Sequence, residues 1–409
     1  MGTVFKLLMI GVVSRLVVLL VSYVSYSIVG AYDTSARIAH PAHRFIPLGT
    51  NWDAEYFVRI AQYGYEYEQV HAFFPLLPFL MRCFAQGAVW IGIDWLSFDT
   101  LVVVGGVVIS NMCFLIAGVL LYKLTLQIFA QDHHLAFQTG LLFYFNPASV
   151  FMSAGYTESL FAMCSFGGML LLSSTRKPHQ WSIFALLRAS IPFCLASLCR
   201  GNGAVLVGYL GFYMLLPFLT GQQLLTFRGI LLCGFELVLP VLISAVIPLG
   251  SVLKYGYDSY CSSPDARPWC SSRLPNIYSF VQAEYWNNGF LNFWEVKQIP
   301  NFLLAAPMVY LCSVCILTYV GGVTSSYTVG HYSRNLKVLP YVLHLFALLV
   351  LGVFFMHVHV ITRFVSACPC IYWYAAISLS TGKETWILTY FPAYVLLGAS
   401  MFSCYYPWA

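Results

Sequence analysis

Charged side chains are scarce in this chain of 409 residues, of which 9% are Asp, Glu, Lys or Arg. An ordinary soluble domain carries about a quarter charged residues. Hydrophobic residues reach 60%, more than so few charges could cover in water. A soluble globular fold is therefore excluded, whereas a lipid-facing protein need not cover its apolar surface. The formal net charge of +5 is scattered along the chain, and no nucleic-acid partner is expected.

The sequence also lacks the cysteine and histidine patterns of metal proteins. Its one CxxC spacing, Cys312 to Cys315, lies inside an apolar run, no paired zinc-ligand spacing accompanies it, and no metal or cofactor is predicted. Most of the 13 cysteines fall in apolar runs, where Cys acts as a small hydrophobe. Cys261 and Cys270 differ, because they bracket a polar loop. A disulfide in an oxidising compartment and two free thiols are both compatible with this spacing.

What the chain has instead is a series of long apolar runs, several near the ~20 residues that cross a hydrocarbon core. They lie near 4–30, 72–92, 100–122, 135–152, 155–173, 181–199, 202–220, 228–254, 299–321, 338–360, 364–381 and 385–404. The predicted fold is an all-α polytopic membrane protein with about 10–12 transmembrane helices. Residues 1–409 would form a single integral membrane domain. Asn146-Pro147 and Gly155 interrupt the region 135–173, so short, broken or re-entrant helices are expected there.

Two polar stretches, 31–71 and 255–298, separate these runs. Arg176-Lys177 lies in one short connection, and Arg334 and Lys337 lie in another. The positive-inside rule places both connections in the cytosol. The two polar stretches are then predicted to be luminal loops. The run count does not quite fit this topology, since eight runs precede the second stretch and an odd number of crossings is required.

Residues 50–64 predict a short amphipathic helix at the membrane interface, ending near Gly64. Its apolar residues recur at helical spacing: Tyr56, Phe57, Ile60 and Ala61. Asp53 falls in the first turn. It could cap free backbone N–H groups, or act as a general base at the water–lipid boundary beside Trp52. Glu55 projects to another side and is the weaker candidate for the base.

A series of segments, in order along the chain, carries a resemblance to a known family. They are 51–57 (Asn-Trp-Asp-Ala-Glu-Tyr-Phe), 64–68, 72–75, 154–161, 268–270, 285–287, 297–307, 356–364 and 406–408 (Tyr-Pro-Trp). These segments resemble the PIG-V family of glycosylphosphatidylinositol (GPI) mannosyltransferases over nearly the whole chain. Residues 200–203 are similar to a family Arg-Ser-Asn-Gly element, from which Gly201 departs. The connection around Lys383 is shorter than in vertebrate members.

The resemblance implies a GT-C type glycosyltransferase with its catalytic acid, Asp53, in the first luminal loop. It further implies dolichol-phosphate mannose as donor and α1,6-linked addition of the second mannose to the GPI precursor glycolipid, in the endoplasmic reticulum membrane. An inverting displacement needs Asp53 to take the acceptor proton and a cation to offset the leaving phosphate. Arg363 is favoured for that cation, although it could be an interface anchor; Arg200 is the other candidate.

The remaining candidate substrate-binding residues each have a structural alternative. Glu158 lies in an apolar run and needs either a hydrated cavity or a structural partner. Asn202 could bind sugar hydroxyls or cap the following helix. Trp269 could stack on a sugar or anchor its loop at the interface. His357 could face the site or simply pack, and its spacing from His359 argues against a metal pair.

Other functions remain open to the sequence. The chain could be another GT-C mannosyltransferase of lipid-linked glycans. Alternatively, broken helices would suit a transporter or scramblase of polyprenyl-linked sugars, although no inverted halves are visible. A purely structural subunit is disfavoured by the acid-bearing loop. Expected partners are the donor, the glycolipid acceptor and membrane lipids; a small membrane subunit is left open.

Overall fold

The computed structural model describes residues 2–32, 47–174, 183–219, 221, 226–262, 266–324 and 336–408. These residues form helices and turns, with no strand among them. The α-helices are α1 Thr3–Val29, α2 Pro47–Thr50, α3 Ala54–Tyr63, α4 Leu76–Trp90, α5 Phe98–Ile128, α6 His133–Tyr144, α7 Glu158–Ser173, α8 Ile183–Cys199, α9 Val207–Leu219, α10 Phe227–Val241, α11 Ile247–Tyr260, α12 Ile277–Glu284, α13 Ile299–Thr324, α14 Leu339–Phe354, α15 Ile361–Phe364, α16 Pro369–Ser380 and α17 Ile387–Ser403.

Six described segments are long and apolar enough to cross a membrane: Thr3–Val29, Phe98–Ile128, Gly201–Leu219, Leu231–Tyr260, Val296–Gly321 and Leu336–Phe354. The pair Val358–Phe364 and Pro369–Ser380, bent by 84°, would make a seventh. The shorter apolar helices are α4, α7, α8 and α17. The predicted all-helical membrane fold is confirmed. The predicted count of about 10–12 spans requires the shorter helices to cross as well.

Helix α16 lies at the centre of the bundle. Nearly all of its side chains are buried, and the indole N–H of Trp373 donates a 2.8 Å hydrogen bond to Thr125 Oγ1 of α5. The outer helices show the opposite pattern, because their exposed side chains are apolar: Leu16 and Leu20 on α1 are 59% and 62% exposed. Such a surface fits a lipid environment rather than water.

The chain between α6 and α7 is broken, as Asn146-Pro147 and Gly155 predict. Residues 145–157 form turns, which we call the broken segment. The Asn146 amide donates to Phe143 O (2.6 Å), and its Oδ1 accepts from Ala148 N–H (2.8 Å). Irregular backbone is tolerated inside a membrane protein only where such partners satisfy it.

The two polar stretches contact each other. Glu68 of the first stretch binds Arg267 and Trp269 of the second, and Cys261 is bridged to Cys270.

Helix α3 ends at Gly64, as predicted, with the positive φ of 83° that glycine tolerates. Protein covers most of α3, however, since it packs on α4 and α5 instead of resting mainly on lipid. The topology markers Arg176, Lys177 and Arg334 lie outside the described residues, so the luminal side stays a prediction.

Candidate active site

Asp53 occupies the N-cap position of α3, but its side chain makes no capping hydrogen bond. Instead, Asp53 Oδ2 accepts two hydrogen bonds of 3.0 Å each, from Nη1 and Nη2 of Arg363 on α15. Both N–H groups therefore converge on one oxygen. No described residue donates a hydrogen bond to the other oxygen, Oδ1. The capping alternative does not account for this carboxylate.

Four charged side chains form one cluster, which we call the Asp53 cluster: Asp53, Glu158, Arg200 and Arg363. Arg200 Nη1 lies 2.9 Å from Glu158 Oε1, and Arg363 Nε lies 3.8 Å from the same oxygen. Glu158 is the first residue of α7, where the helix dipole favours a carboxylate. The cluster contains two carboxylates and two guanidinium groups, so its formal charge is zero. The sequence predicted all four as site residues, and the structure brings them together.

The side chains of the Asp53 cluster differ in solvent exposure. The side chain of Glu158 is 2% exposed and that of Asp53 is 29% exposed, with the two arginines between them. The Arg363 guanidinium carbon lies 5.2 Å from the ring centre of Phe151 and 5.6 Å from that of Tyr156. Aromatic faces stabilise such cations where water is excluded. The open end of the cluster is thus the Asp53 carboxylate.

Several polar atoms around the cluster have no described partner. Glu158 Oε2 and Asn202 Nδ2 are buried without a hydrogen bond among the described residues. An unsatisfied buried polar group costs about 1–3 kcal/mol. Together with Asp53 Oδ1, these atoms leave hydrogen-bonding capacity for a polar ligand. The described residues include no group of three or more His, Cys, Asp or Glu that could hold a metal ion.

The turn before α3 is held from two sides. The Asp53 N–H donates to Tyr156 Oη at 2.8 Å. The Asn51 amide donates to the carbonyls of Phe402 and Ser403 at the end of α17, at 3.1 and 2.9 Å. Sequence reasoning missed Asn51 and Tyr156 as positioning residues. Both lie in segments that resemble the family, and that was the available signal.

Trp52 has a left-handed backbone, with φ of 57°, and its ring packs 6.0 Å from that of Tyr405, whose φ is 60°. Such conformations are uncommon for large side chains and persist where the surroundings enforce them. Trp52 stays 39% exposed directly before the acid. It therefore presents an aromatic face next to Asp53. Glu55 lies buried on α3.

Two other predicted binding residues make structural contacts. A nitrogen of His357, Nε2, lies 2.7 Å from Trp286 O, and the ring stacks on Phe293 with centroids 4.5 Å apart. Trp269 is 6% exposed, and its indole N–H donates to Glu68 Oε1 at 2.8 Å. These contacts favour a structural role for both residues, and their substrate binding stays a prediction.

Glu68 is the centre of a second cluster, the Glu68 clamp, formed with Arg267, Trp269 and Tyr285. Its Oε1 accepts from Arg267 Nε (3.0 Å) and Trp269 Nε1 (2.8 Å). Its Oε2 accepts from Arg267 Nη2 (2.8 Å) and Tyr285 Oη (2.9 Å). Burial raises the pKa of the Glu68 carboxyl, but these hydrogen bonds outweigh that effect, and the pKa lies below its usual value. The clamp ties the two polar stretches together.

The all-helical bundle has a counterpart among solved protein structures. The fold is similar to that of the oligosaccharyltransferase of Archaeoglobus fulgidus, with a TM-score of 0.50 and 12% sequence identity. The alignment covers 100% of this chain and 53% of that one, so this chain spans about half of that protein. At this identity the likeness concerns the fold alone.

The chain belongs to the mannosyltransferase (PIG-V) family, whose model matches residues 5–409. It is 34% identical to GPI mannosyltransferase 2 of Drosophila pseudoobscura pseudoobscura, over 88% of this chain and 86% of the relative. It is 32% identical to human GPI alpha-1,6-mannosyltransferase 2, over 80% and 72%. The corresponding protein of Yarrowia lipolytica is 30% identical over 92% of both chains. The enzyme class expected from the sequence, a membrane mannosyltransferase, is confirmed.

Proposed function

We propose that this protein transfers mannose from dolichol-phosphate mannose to a GPI precursor glycolipid, forming the α1,6 link of the second mannose. The reaction takes place on the luminal side of the endoplasmic reticulum membrane. Family membership and the names of the relatives support the GPI acceptor. The observation that carries the mechanism is the ion pair of Asp53 and Arg363, a potential base and a potential phosphate ligand 3.0 Å apart.

The chemistry is a single inverting displacement. The acceptor oxygen forms a bond to the anomeric carbon of mannose while the bond from that carbon to the phosphate oxygen breaks. The acceptor hydroxyl is a poor nucleophile, so Asp53 accepts its proton as the new bond forms. Charge balances: the donor phosphate gains one negative charge on leaving, and Asp53 loses one on protonation.

Arg363 serves both anions in turn. Before the donor binds, its two terminal N–H groups bind Asp53 Oδ2. A donor phosphate offers these two N–H groups more acceptor oxygens than the single Asp53 Oδ2, and its negative charge grows as the reaction proceeds. A guanidinium binds phosphate well through two N–H groups. Arg363 then stabilises the leaving phosphate, and the Asp53 carboxylate is released to receive the proton.

Arg200 has a different role because Glu158 already neutralises it at 2.9 Å. Glu158 lies farther from Arg363, with 3.8 Å between Oε1 and Nε. Glu158 therefore neutralises Arg363 less than it neutralises Arg200. Arg363 is also the arginine that binds the catalytic acid, Asp53. Asn202 follows Arg200 closely, and its Nδ2, which has no hydrogen-bond partner among the described residues, is suited to a sugar hydroxyl. Trp52 offers a partly exposed ring on which a sugar face can stack.

Purified protein in liposomes tests the proposal. Dolichol-phosphate mannose and a one-mannose GPI lipid are supplied on the same side, and the product is analysed for an α1,6-linked second mannose. The expected result is a two-mannose lipid formed without any added protein. Movement of the donor across the bilayer without a new glycosidic bond would overturn the proposal in favour of a transporter. Transfer only to a lipid-linked N-glycan precursor would identify another mannosyltransferase.

A further inference from the structure

Arg15 is a buried cation in the middle of the first membrane helix. The residue is 3% exposed and lies on α1, which is apolar on both sides of it. A charge at such a depth is costly, and in membrane proteins it usually marks a functional contact. None of the ion pairs among the described residues includes Arg15. Its positive charge must therefore be stabilised by other groups.

Those groups belong mainly to the broken segment and to the end of α6. Arg15 Nη1 donates to Ser149 O (2.9 Å) and to Ser153 Oγ (2.8 Å). Nη2 donates to Ser149 Oγ at 2.5 Å and reaches Tyr144 O, near the last turn of α6, at 3.4 Å. A helix C-terminus attracts a cation because its carbonyls carry partial negative charge. The guanidinium carbon also lies 3.8 Å from the ring centre of Phe114.

The broken segment in turn holds the acid-bearing turn. The Gly155 N–H donates to Leu48 O of α2 at 3.0 Å. Tyr156 Oη accepts the Asp53 N–H at 2.8 Å, and the segment ends directly before Glu158 of the Asp53 cluster. One guanidinium thus fixes the middle of a segment whose far end positions both carboxylates.

We propose that Arg15 is a positioning residue, which sets the broken segment and, through Tyr156 and Glu158, the geometry of the Asp53 cluster. This inference rests on the proposed function for its kinetic consequence but not for its structural one. A planar guanidinium is required, because Nη1 and Nη2 of Arg15 donate to different sets of acceptors. Lys supplies the charge from a single nitrogen and is not equivalent.

The test compares Arg15→Lys and Arg15→Gln with wild type as purified, full-length protein in liposomes. A displaced catalytic group costs up to about 100-fold in rate. We expect the turnover rate per folded enzyme to fall about 10-fold for Arg15→Lys and about 100-fold for Arg15→Gln, with the donor KM within about 2-fold of wild type. A merely structural role would lower the amount of folded protein without changing the turnover rate of what remains, and that result would overturn the proposal.

Hydrogen exchange supplies a readout that needs no substrate. Amides of residues 148–157 should exchange at least about 10-fold faster in Arg15→Lys, while those of the central helix α16 keep the wild-type rate. Faster exchange spread evenly through the bundle would contradict the proposal. Ser25→Ala is the matched control, since Ser25 lies on the same helix but bonds to Ser400 of α17 at 2.9 Å. It should leave both readouts unchanged.

If Arg15→Gln does not accumulate, the double variant Ser149→Ala with Ser153→Ala decides, because it removes the hydroxyl acceptors and keeps the arginine. The double variant should lower the turnover rate about 3-fold or more, with faster exchange at 148–157. Wild-type values for both the turnover rate and the exchange rate would overturn the proposal.

If wild type itself transfers no mannose, the proposed function fails, while the exchange result still supports or refutes the structural role of Arg15.

Discussion

Glu68 and Asp53 both lie in the first polar stretch, and each binds an arginine, but their remaining bonds differ. Each of the two carboxylate oxygens of Glu68 accepts two hydrogen bonds, and the side chain is 6% exposed. Asp53 accepts hydrogen bonds from Arg363 on one oxygen, receives none from described residues on the other, and is 29% exposed. Glu68 has no capacity left for a ligand, whereas Asp53 has an open oxygen and a partner that a phosphate can draw away.

The difference separates a structural carboxylate from a chemical one within a single loop. A saturated carboxylate stabilises the fold because every lone pair is matched. A carboxylate that must accept a proton needs one accessible oxygen and a partner that can leave. If this distinction is correct, substitutions at Asp53 and Glu68 have opposite effects on rate and stability.

Asp53→Asn should have the largest effect. The amide cannot accept the acceptor proton, and general-base catalysis typically contributes about 10²–10⁴-fold to rate. We expect transfer in liposomes to fall by that factor while the amount of folded protein stays the same. Ser25→Ala serves as the control. Transfer by Asp53→Asn within about 10-fold of wild type would remove Asp53 as the base.

Arg363→Ala should come next, because the leaving phosphate loses its cation. Loss of one such group in a water-poor site costs about 10²–10³-fold in turnover. The matched control is Arg59→Ala, which breaks a partly exposed pair with Glu66 (2.9 Å) outside the cluster and should not change the rate. If Arg200→Ala lowered turnover more than Arg363→Ala, the assignment of the two arginines would be reversed.

Glu158→Gln should lower turnover by an intermediate factor and, unlike the other substitutions, should also lower the donor KM. The substitution leaves the Asp53 cluster with a net positive charge, so the anionic donor binds more tightly before reaction. We expect the donor KM to fall and turnover to fall about 10-fold, because the added affinity is already present in the ground state. A higher donor KM would show that Glu158 contacts the substrate directly.

Glu68→Gln should have the smallest effect on rate, within about 3-fold of wild type, and a clear effect on stability. The folded-state pKa of Glu68 lies below its usual value, so its contribution to stability is complete above the unfolded pKa of about 4.3. That contribution is lost as pH falls through the folded value. Thermal unfolding in detergent should show a lower Tm for Glu68→Gln at pH 7 and a smaller difference at pH 4. A pH-independent difference would rule out this origin.

The sequence was sufficient for features encoded locally. Helical spacing and Gly64 predicted α3, Asn146-Pro147 predicted the broken segment, and the family segments indicated Asp53 and its three charged neighbours. Contacts between distant residues were not accessible. Asp53 and Arg363 are 310 positions apart, and Glu68 and Trp269 are 201 apart. For Trp269 the sequence leaves sugar stacking and interface anchoring open, since nothing near it in the chain reveals Glu68. Arg15 was visible only as a charge in an apolar run.

The most direct measurement is the lipid analysis of cells that lack their own second GPI mannosyltransferase, after they receive wild type, Asp53→Asn or Glu68→Gln. With equal protein amounts, wild type and Glu68→Gln should restore GPI lipids with two or more mannoses, and Asp53→Asn should leave the one-mannose lipid accumulated. Restoration by Asp53→Asn, or a failure of wild type to extend that lipid, would contradict the central claim that the open carboxylate performs this transfer.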